Sequence, residues 1–177
     1  MEIKSRIHLS KLLPPNPVTV ELGIAEGLFS RDILEKWKPS KHYMVDLWKC
    51  QPTMPGDVAS PQEWHSRNYK NVLSIINPFP QAEIIRDFTV TAARRIEDLS
   101  CDIVYVDACH AYECVREDIK AWWPKVKVHG IMAFHDYNNP DYGVTQAVTE
   151  WANSQGLTVY EIPENGPDAS AYIIKLK

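Results

Sequence analysis

The sequence predicts a single α/β domain, in which a mainly parallel, doubly wound β-sheet is covered by helices on both faces. The 177 residues suffice for one domain, and 45% of them are hydrophobic, which is enough to form a sizeable core. Short apolar segments typical of buried strands alternate at least four times with segments of helical periodicity. Such alternation is typical of a parallel sheet with helices on both sides.

The predicted strands are short apolar runs bounded by prolines, glycines or polar residues. The first covers residues 18–22 and follows the proline-rich segment 14–17, which prevents a helix from continuing into it. Further strands are expected at 42–46, 82–86, 102–106 and 130–134, with a closing pair at 157–162 and 171–176.

The predicted helices have apolar residues on one face. In residues 112–122 the apolar positions recur at i, i+3, i+7 and i+10, and charged residues cover the other side. Other helices are expected at 29–37, 61–75, 91–99 and 144–151. The segment 49–80 contains five of the 13 prolines, and its part 49–75 is predicted to be a mobile cover over a ligand. Within it, Trp64, Arg67 and Tyr69 either form an acceptor pocket or belong to a solvent-facing lid helix without a specific role.

The charge and cysteine content exclude several classes of protein. A net charge of −4 argues against partners such as nucleic acid or an anionic membrane, which require basic surfaces. No apolar run is long enough to span a membrane, and charges replace the apolar stretch of a signal peptide, so a cytoplasmic location is expected. The four cysteines form no C-x-x-C pair and are expected to be reduced structural thiols.

Polar and small residues directly follow five of the predicted strands. These residues are Gly23, Asp46, Asp87, Asp107, His135 and Asp136. One acid at such a place is commonly a cap or turn residue. Because the carboxyl ends of parallel strands meet at one edge of the sheet, where ligands of such folds bind, the set together predicts a ligand site.

The loop after the first strand indicates which ligand binds. Its sequence, Glu21-Leu-Gly-Ile-Ala-Glu-Gly27, has Ala25 where a dinucleotide fingerprint needs its second glycine, and Glu26 places a negative charge nearby. A nucleoside without phosphates fits this loop better. S-adenosylmethionine is such a ligand: Glu21 favours its cationic end, and Asp46 can accept hydrogen bonds from both ribose hydroxyls.

Three segments, at 21–30 followed by Asp46, at 102–112 and at 130–137, resemble those of class I S-adenosylmethionine-dependent methyltransferases. The resemblance extends over roughly 17–176, is most specific over 102–151, and is strongest to metal-dependent O-methyltransferases of the catechol and macrolide-sugar types. It implies a Rossmann-like, seven-stranded sheet with the last strand antiparallel. A single methyltransferase domain over 1–177 is then expected, with a short N-terminal extension at 1–16.

The same resemblance implies roles for individual residues. The first-loop glycines would wrap the methionine moiety, Asp46 would hold the ribose, and Asp87 and Phe88 would lie beside the adenine. The complete set of expected cofactor-binding residues is Glu21, Gly23, Ala25, Gly27, Ser30, Asp46, Leu47, Asp87, Phe88 and Asp107.

In metal-dependent members an acid follows the fourth strand and two further ligands follow the fifth, which correspond here to Asp107 and to His135 and Asp136. His135 replaces an oxygen ligand, which leaves three alternatives. Asp136 alone ligates, the ion is Mn²⁺ or another that tolerates imidazole rather than Mg²⁺, or no metal binds. Three residues after Asp107, His110 stands where such members carry a base, so His110 and Asp107 are the expected catalytic residues.

The expected function is metal-assisted methyl transfer to a hydroxyl of a small molecule. The alternatives are a metal-independent methyltransferase using His110, a degenerate binding module, and a nicotinamide enzyme. His110 can also be a helix cap or a core residue. Because the segment 1–16 is shorter than in catechol-type relatives, the cover must come from 49–75, from a second subunit of a homo-oligomer, or be absent.

Overall fold

The computed structural model describes residues 3–54, 56–163 and 169–177, and their central feature is one β-sheet. Its strands are β1 (Val18–Leu22), β2 (Lys41–Val45), β3 (Ala82–Ile85), β4 (Cys101–Val106), β5 (Val126–Phe134), β6 (Tyr160–Ile162) and β7 (Ser170–Ile174). The strand order is β3-β2-β1-β4-β5-β7-β6. Neighbouring strands from β3 to β5 are parallel, whereas β7 is antiparallel to both β5 and β6. The predicted fold class, with an antiparallel last strand, is therefore confirmed.

Five α-helices accompany the sheet in the described part of the chain. They are α1 (Leu28–Asp32), α2 (Gln62–Ile76), α3 (Thr89–Ala92), α4 (Tyr112–Trp122) and α5 (Val144–Gln155). The first continues as a π-helical turn over Ile33–Trp37, and short 3₁₀ segments cover Arg6–Leu12, Gly56–Ala59, Ala93–Arg95 and Trp123–Lys125.

Three predicted boundaries differ clearly from the structure, and one of them belongs to the strand expected from residue 157, which begins at Tyr160. The helix expected at 91–99 begins at Thr89 and passes into a 3₁₀ turn that ends at Arg95. The fifth strand begins at Val126 rather than at residue 130, beyond a register shift against β4. The two polar residues between these starting points, Lys127 and His129, broke the apolar pattern on which the prediction depended.

Both faces of the sheet are covered by apolar layers. On one face α3, α4 and α5 pack around the fully buried Trp122 and Phe134. On the other, α1 and the N-terminal 3₁₀ segment bury Leu9 and Ile33. A smaller cluster around Trp48 joins α2 to the loop after β1. These three clusters fix the carboxyl ends of the central strands relative to one another.

The N-terminal segment is part of the fold from Ile3, the first described residue. Leu9 is fully buried, and the indole N–H of Trp37 donates to the carbonyl of Ile7 at 2.9 Å. These contacts hold Arg6 at the carboxyl edge of the sheet. Arg6 of the predicted short extension therefore contributes to the cavity at this edge.

None of the helices in the described residues is long and apolar enough to cross a membrane. All four cysteines, Cys50, Cys101, Cys109 and Cys114, have free thiols, as the sequence predicted.

Candidate active site

A cavity of about 900 Å³ opens at the carboxyl ends of the parallel strands. The sequence-predicted residues that line it are Glu21, Gly23, Ala25, Asp46, Leu47, Asp87, Phe88, Asp107, His110, His135 and Asp136. Gly27 and Ser30, also predicted to bind the cofactor, do not line it. The edge of the sheet thus brings together most of the residues that the sequence placed in one site.

Asp46 fixes the loop after β1 through backbone contacts. Its Oδ2 accepts hydrogen bonds from the amides of Ile24 at 2.8 Å and Ala25 at 3.1 Å, and its Oδ1 accepts one from Trp48 at 2.6 Å. Ala25 and Trp48 have φ angles of +47° and +44°, which L-residues rarely adopt, and these contacts hold them there. Asp46 therefore shapes the loop as well as facing the cavity.

The two glycines of this loop satisfy different steric requirements. A Cβ on Gly23 would lie 2.0 Å from the backbone oxygen of Asp107, so only glycine lets β1 and β4 end this close together. A Cβ on Gly27 would lie 2.9 Å from Cγ2 of Val72 on α2. Gly27 thus permits α2 to pack on the loop rather than forming the cavity wall.

Glu21 lies at the floor of the cavity and is almost completely buried. The Ser30 hydroxyl donates to its Oε2 at 2.5 Å, and His42 Nε2 lies 3.4 Å from the same oxygen. Burial raises the pKa of Glu21 above its ordinary value, although both neighbours oppose the shift. Ser30 therefore acts on the site through Glu21.

Asp87 and Phe88 follow β3 at the far end of the cavity. Asp87 is already engaged, since its Oδ1 accepts the amide of Phe88 at 2.8 Å and its Oδ2 pairs with Arg95 at 3.0 Å. The Phe88 ring, in contrast, is 55% exposed and lines the cavity. An exposed aromatic ring in a cavity wall offers a stacking surface to a planar ligand.

Two carboxylates and two imidazoles meet beyond β4 and β5. His110 Nε2 lies 2.8 Å from Asp136 Oδ2 and 3.5 Å from Asp107 Oδ1. His135 Nδ1 lies 3.3 Å from Asp107 Oδ1 and 3.2 Å from Asp136 Oδ2. We call these four residues the Asp–His cluster. Asp136 has a φ angle of +55°, which indicates that local contacts determine its conformation.

The cluster shifts the pKa values of its own members. Burial lowers the pKa of both imidazoles, but the adjacent carboxylates outweigh it and raise the pKa of His110 to about 9 and of His135 to about 10. Burial by itself raises the pKa values of Asp107 and Asp136, but the two adjacent imidazoles outweigh this effect. The pKa values of both carboxyl groups therefore lie below their ordinary values. The four side chains therefore form charge-paired contacts.

The donor atoms of the cluster fit a divalent cation. Ligand atoms of Asp107, His110 and Asp136 all lie within 4.8 Å of one another. This set of two carboxylates and one imidazole suits Mn²⁺ or a similar ion better than Mg²⁺, which prefers oxygen ligands. The imidazole in the set is that of His110, which the sequence assigned to proton transfer, while His135 adjoins both carboxylates.

Two residues of this region were missed by the sequence analysis. The Arg6 guanidinium lies 3.6 Å from Asp107 Oδ2 and 4.4 Å from the centre of the Phe29 ring. Its distance from β4 along the chain left no local signal. Tyr142 stacks on His110 with ring centres 4.4 Å apart, and the following Gly143 donates its amide to the His110 carbonyl at 2.9 Å. The Tyr-Gly pair before α5 was the signal available for it.

The segment 49–75, which we call the cover segment, contributes to the cavity wall. Within it, Pro55 lies outside the described residues. Its lining residues are Gln51, Met54, Val58, Trp64 and His65. A Cβ on Gly56 would lie 3.6 Å from His110 Nδ1, so the segment reaches the Asp–His cluster. Arg67 and Tyr69 do not line the cavity, contrary to the acceptor pocket suggested from the sequence. Tyr69 instead packs on Trp48, with ring centres 5.0 Å apart.

The strand order and the cavity at the carboxyl ends of the parallel strands are those of the class I S-adenosylmethionine-dependent methyltransferase fold. A family model described as a methyltransferase domain matches residues 20–137, and the chain belongs to this family. An uncharacterised protein of Sinorhizobium fredii is 32% identical over 62 residues, which are 35% of this chain and 7% of that protein. The chain thus spans a small fraction of this curated relative.

Solved structures of similar fold include three at low identity. A Corynebacterium glutamicum protein gives a TM-score of 0.71 at 16% identity, over 97% of this chain and 80% of that one. CalS11, a calicheamicin methyltransferase, gives a TM-score of 0.68 at 16% identity, over 95% of this chain and 75% of that one. A Streptococcus mutans protein described as a methyltransferase was solved with S-adenosylhomocysteine (SAH). It gives a TM-score of 0.68 at 15% identity, over 95% of this chain and 93% of that one. At these identities the likeness shows the fold.

Proposed function

We propose that this protein transfers a methyl group from S-adenosylmethionine to a hydroxyl of a small molecule, with help from a divalent cation. The observation that carries the proposal is the convergence of Asp107, His110 and Asp136 in the wall of the cavity that also contains the first loop. The two carboxylates would hold the cation, with the His135 imidazole beside both of them, and His110 would remain unligated. The cofactor supplies an electrophilic methyl on a sulfonium. The bound cation would supply Lewis-acid stabilisation of the acceptor oxygen.

The residues of this chain orient the two substrates. The first loop, held in shape by Asp46, presents backbone and Glu21 toward the cationic end of the cofactor. Asp107 belongs to both regions, because its backbone touches Gly23 and its carboxylate belongs to the cluster. Methyl transfer needs the acceptor oxygen in line with the methyl group, and this shared residue couples the two positions.

His110 is the proposed proton acceptor. Its imidazole lies between both carboxylates and the Tyr142 ring, at the point where Gly56 approaches it from the cover segment. The carboxylates stabilise the protonated imidazole that forms when the acceptor hydroxyl loses its proton. A cation held by Asp107 and Asp136 would lower the pKa of the neighbouring His110 imidazole, so that this imidazole would be neutral and able to accept the proton.

A small-molecule acceptor is supported by the shape and charge of the site. The cavity is a walled cleft rather than a broad basic surface, and the net charge of −4 disfavours nucleic acid. The structural neighbour CalS11 is named a calicheamicin methyltransferase, which agrees with this acceptor class.

The decisive test combines metal binding with turnover. Labelled S-adenosylmethionine and a pool of hydroxylated metabolites would report methyl transfer, and calorimetry with Mn²⁺ would report cation binding independently. Asp107→Ala and Asp136→Ala should lose both, whereas Asp32→Ala, which removes a half-buried carboxylate paired with Lys36 and distant from the cluster in sequence, should lose neither. His110→Ala should lower turnover by about 10²- to 10⁴-fold, the usual effect of removing a general base.

A metal-independent methyltransferase is the second candidate. It is favoured by the cationic groups of Arg6, His110 and His135, which already lie against the two carboxylates. Full turnover in the presence of a strong chelator, or an Asp136→Ala enzyme with unchanged turnover and Mn²⁺ affinity, would contradict the metal-assisted mechanism and support this one.

A further inference from the structure

Arg6 is the one lysine or arginine that lines the cavity among the described residues, and the metal-assisted chemistry does not use it. Its guanidinium lies 3.6 Å from Asp107 Oδ2, at the edge of the Asp–His cluster, and its side chain is 33% exposed. A permanently charged group therefore faces the part of the cavity in which the acceptor hydroxyl is proposed to bind.

Contacts on several sides hold this guanidinium in position. It lies over the Phe29 ring, 4.4 Å from the ring centre, and donates a hydrogen bond to the hydroxyl of the buried Tyr105. The next residue along the chain, Ile7, is fixed through its carbonyl, which accepts the indole N–H of Trp37. Because the guanidinium is already oriented, it would lose little conformational freedom on binding an anion.

The charges around the cluster favour an anionic group beside Arg6. Asp107 and Asp136 carry two negative charges, which a divalent cation would balance. The guanidinium adds positive charge next to that cation, so a negative group on the acceptor would be attracted by both. A guanidinium has five N–H donors in a planar fork, so the contact with Asp107 is compatible with a second anionic partner.

Several other acids of the cavity wall do not oppose an anion at this place. Four of them have partners outside the cluster: backbone amides for Asp46, Arg95 for Asp87, and Arg116 for both Glu113 and Glu117. An anion beside Arg6 would therefore meet little repulsion from these four side chains.

We propose that the acceptor carries a carboxylate next to its hydroxyl, and that Arg6 binds this carboxylate as a specificity-determining residue. The inference rests on the proposed function, because that function places the acceptor hydroxyl at the Asp–His cluster. A carboxylate fits the planar guanidinium fork, and its single negative charge matches one arginine. A phosphate ester carries nearly two charges and would need further cationic donors. Hydroxy acids are thus the acceptor class.

Calorimetric titration with matched probes tests the inference. Lactate, mandelate and salicylate would each be compared with lactamide, mandelamide and salicylamide, in the presence of SAH and Mn²⁺. Each amide keeps the hydroxyl and nearly the shape of its acid but lacks the charge. The wild type should bind at least one acid about 10-fold or more tightly than its amide, because a charge-assisted hydrogen bond is lost in the amide.

Three variants assign this preference to Arg6. Arg6→Gln removes the charge and should reduce the preference to about 3-fold or less. Arg6→Lys keeps the charge but not the fork, so its preference should be intermediate. Arg31→Gln changes an exposed arginine of α1 that does not line the cavity, and it should keep the wild-type preference. Thermal unfolding verifies that each variant is folded.

The outcomes separate the inference from the proposed function. If the protein binds SAH and Mn²⁺ in separate titrations but prefers none of the acids, the inference alone is overturned. A preference that persists in Arg6→Gln shows that another group, such as the cation, binds the carboxylate, and it also overturns the role of Arg6. Stronger displacement of the tightest acid by methyl phosphate than by acetate overturns the choice of carboxylate. If the protein does not bind SAH, the proposed function fails, and the inference fails with it.

Discussion

Asp46 shows how one side chain serves both the backbone and a ligand. Its carboxylate accepts three amide hydrogens from the loops after β1 and β2 while facing the cavity. We expect Asp46→Ala to weaken SAH binding by about 1.5 to 3 kcal/mol, the value of charge-assisted hydrogen bonds, and to loosen the loop as well. Calorimetry measures the affinity for SAH, and thermal unfolding measures the stability that is lost when the loop loosens. An unchanged dissociation constant would refute the ribose assignment.

Gly23 is the glycine at which an added side chain would clash most severely with the neighbouring backbone. Gly23→Ala combines a φ of +81° with a clash against the Asp107 carbonyl, whereas Gly156→Ala has a φ of +64° and open space around its Cβ. The second change should cost about 1 to 2 kcal/mol from the left-handed conformation alone. The first should cost at least about 2 kcal/mol more, because overpacking adds to it. Denaturant unfolding of both variants measures the difference. Equal losses would show that the loop moves to accommodate the side chain.

The mobility that the sequence predicts for the cover segment can be tested directly. Its residues Gln51, Met54 and Val58 line the cavity above the first loop, so a bound cofactor should hold them in place. We expect hydrogen exchange in peptides from 49–75 to slow when SAH binds, while peptides from α5 change little. Identical exchange with and without SAH would contradict a covering role.

Elements determined by contacts between residues close in sequence could be predicted, whereas features determined by contacts between distant residues could not. β1 was located from the sequence because it is a short strand-forming run, buried at four consecutive residues, and α4 was located because its buried positions recur at helical spacing. Asp118 also lies on the apolar face of α4, three residues after Val115, so an acid at a core position was a signal that went unused. Arg6 left no such signal, because only the tertiary structure brings it to Asp107.

For the whole molecule, Asp118 makes stability depend on pH. Its pKa of about 7 in the folded protein exceeds its ordinary value of 3.8, so the folded state binds more protons between these values. Because burial raises this pKa, the contribution of Asp118 to stability is greatest below its unfolded pKa and is lost as pH rises through about 7. The wild type should lose about 2 to 3 kcal/mol more than Asp118→Asn between about pH 5 and 8. Urea unfolding at several pH values measures this. Parallel pH profiles for the two proteins would show that Asp118 ionises freely.

The cover segment also has a consequence for the order of events in turnover. Through α2 it rests on Gly27 of the first loop, and through Gly56 it reaches His110. The same segment therefore approaches both the first loop and the Asp–His cluster. We expect it to move before spent cofactor can leave. Product release, rather than bond making, is then expected to set the pace, with SAH as a strong inhibitor competing against fresh cofactor.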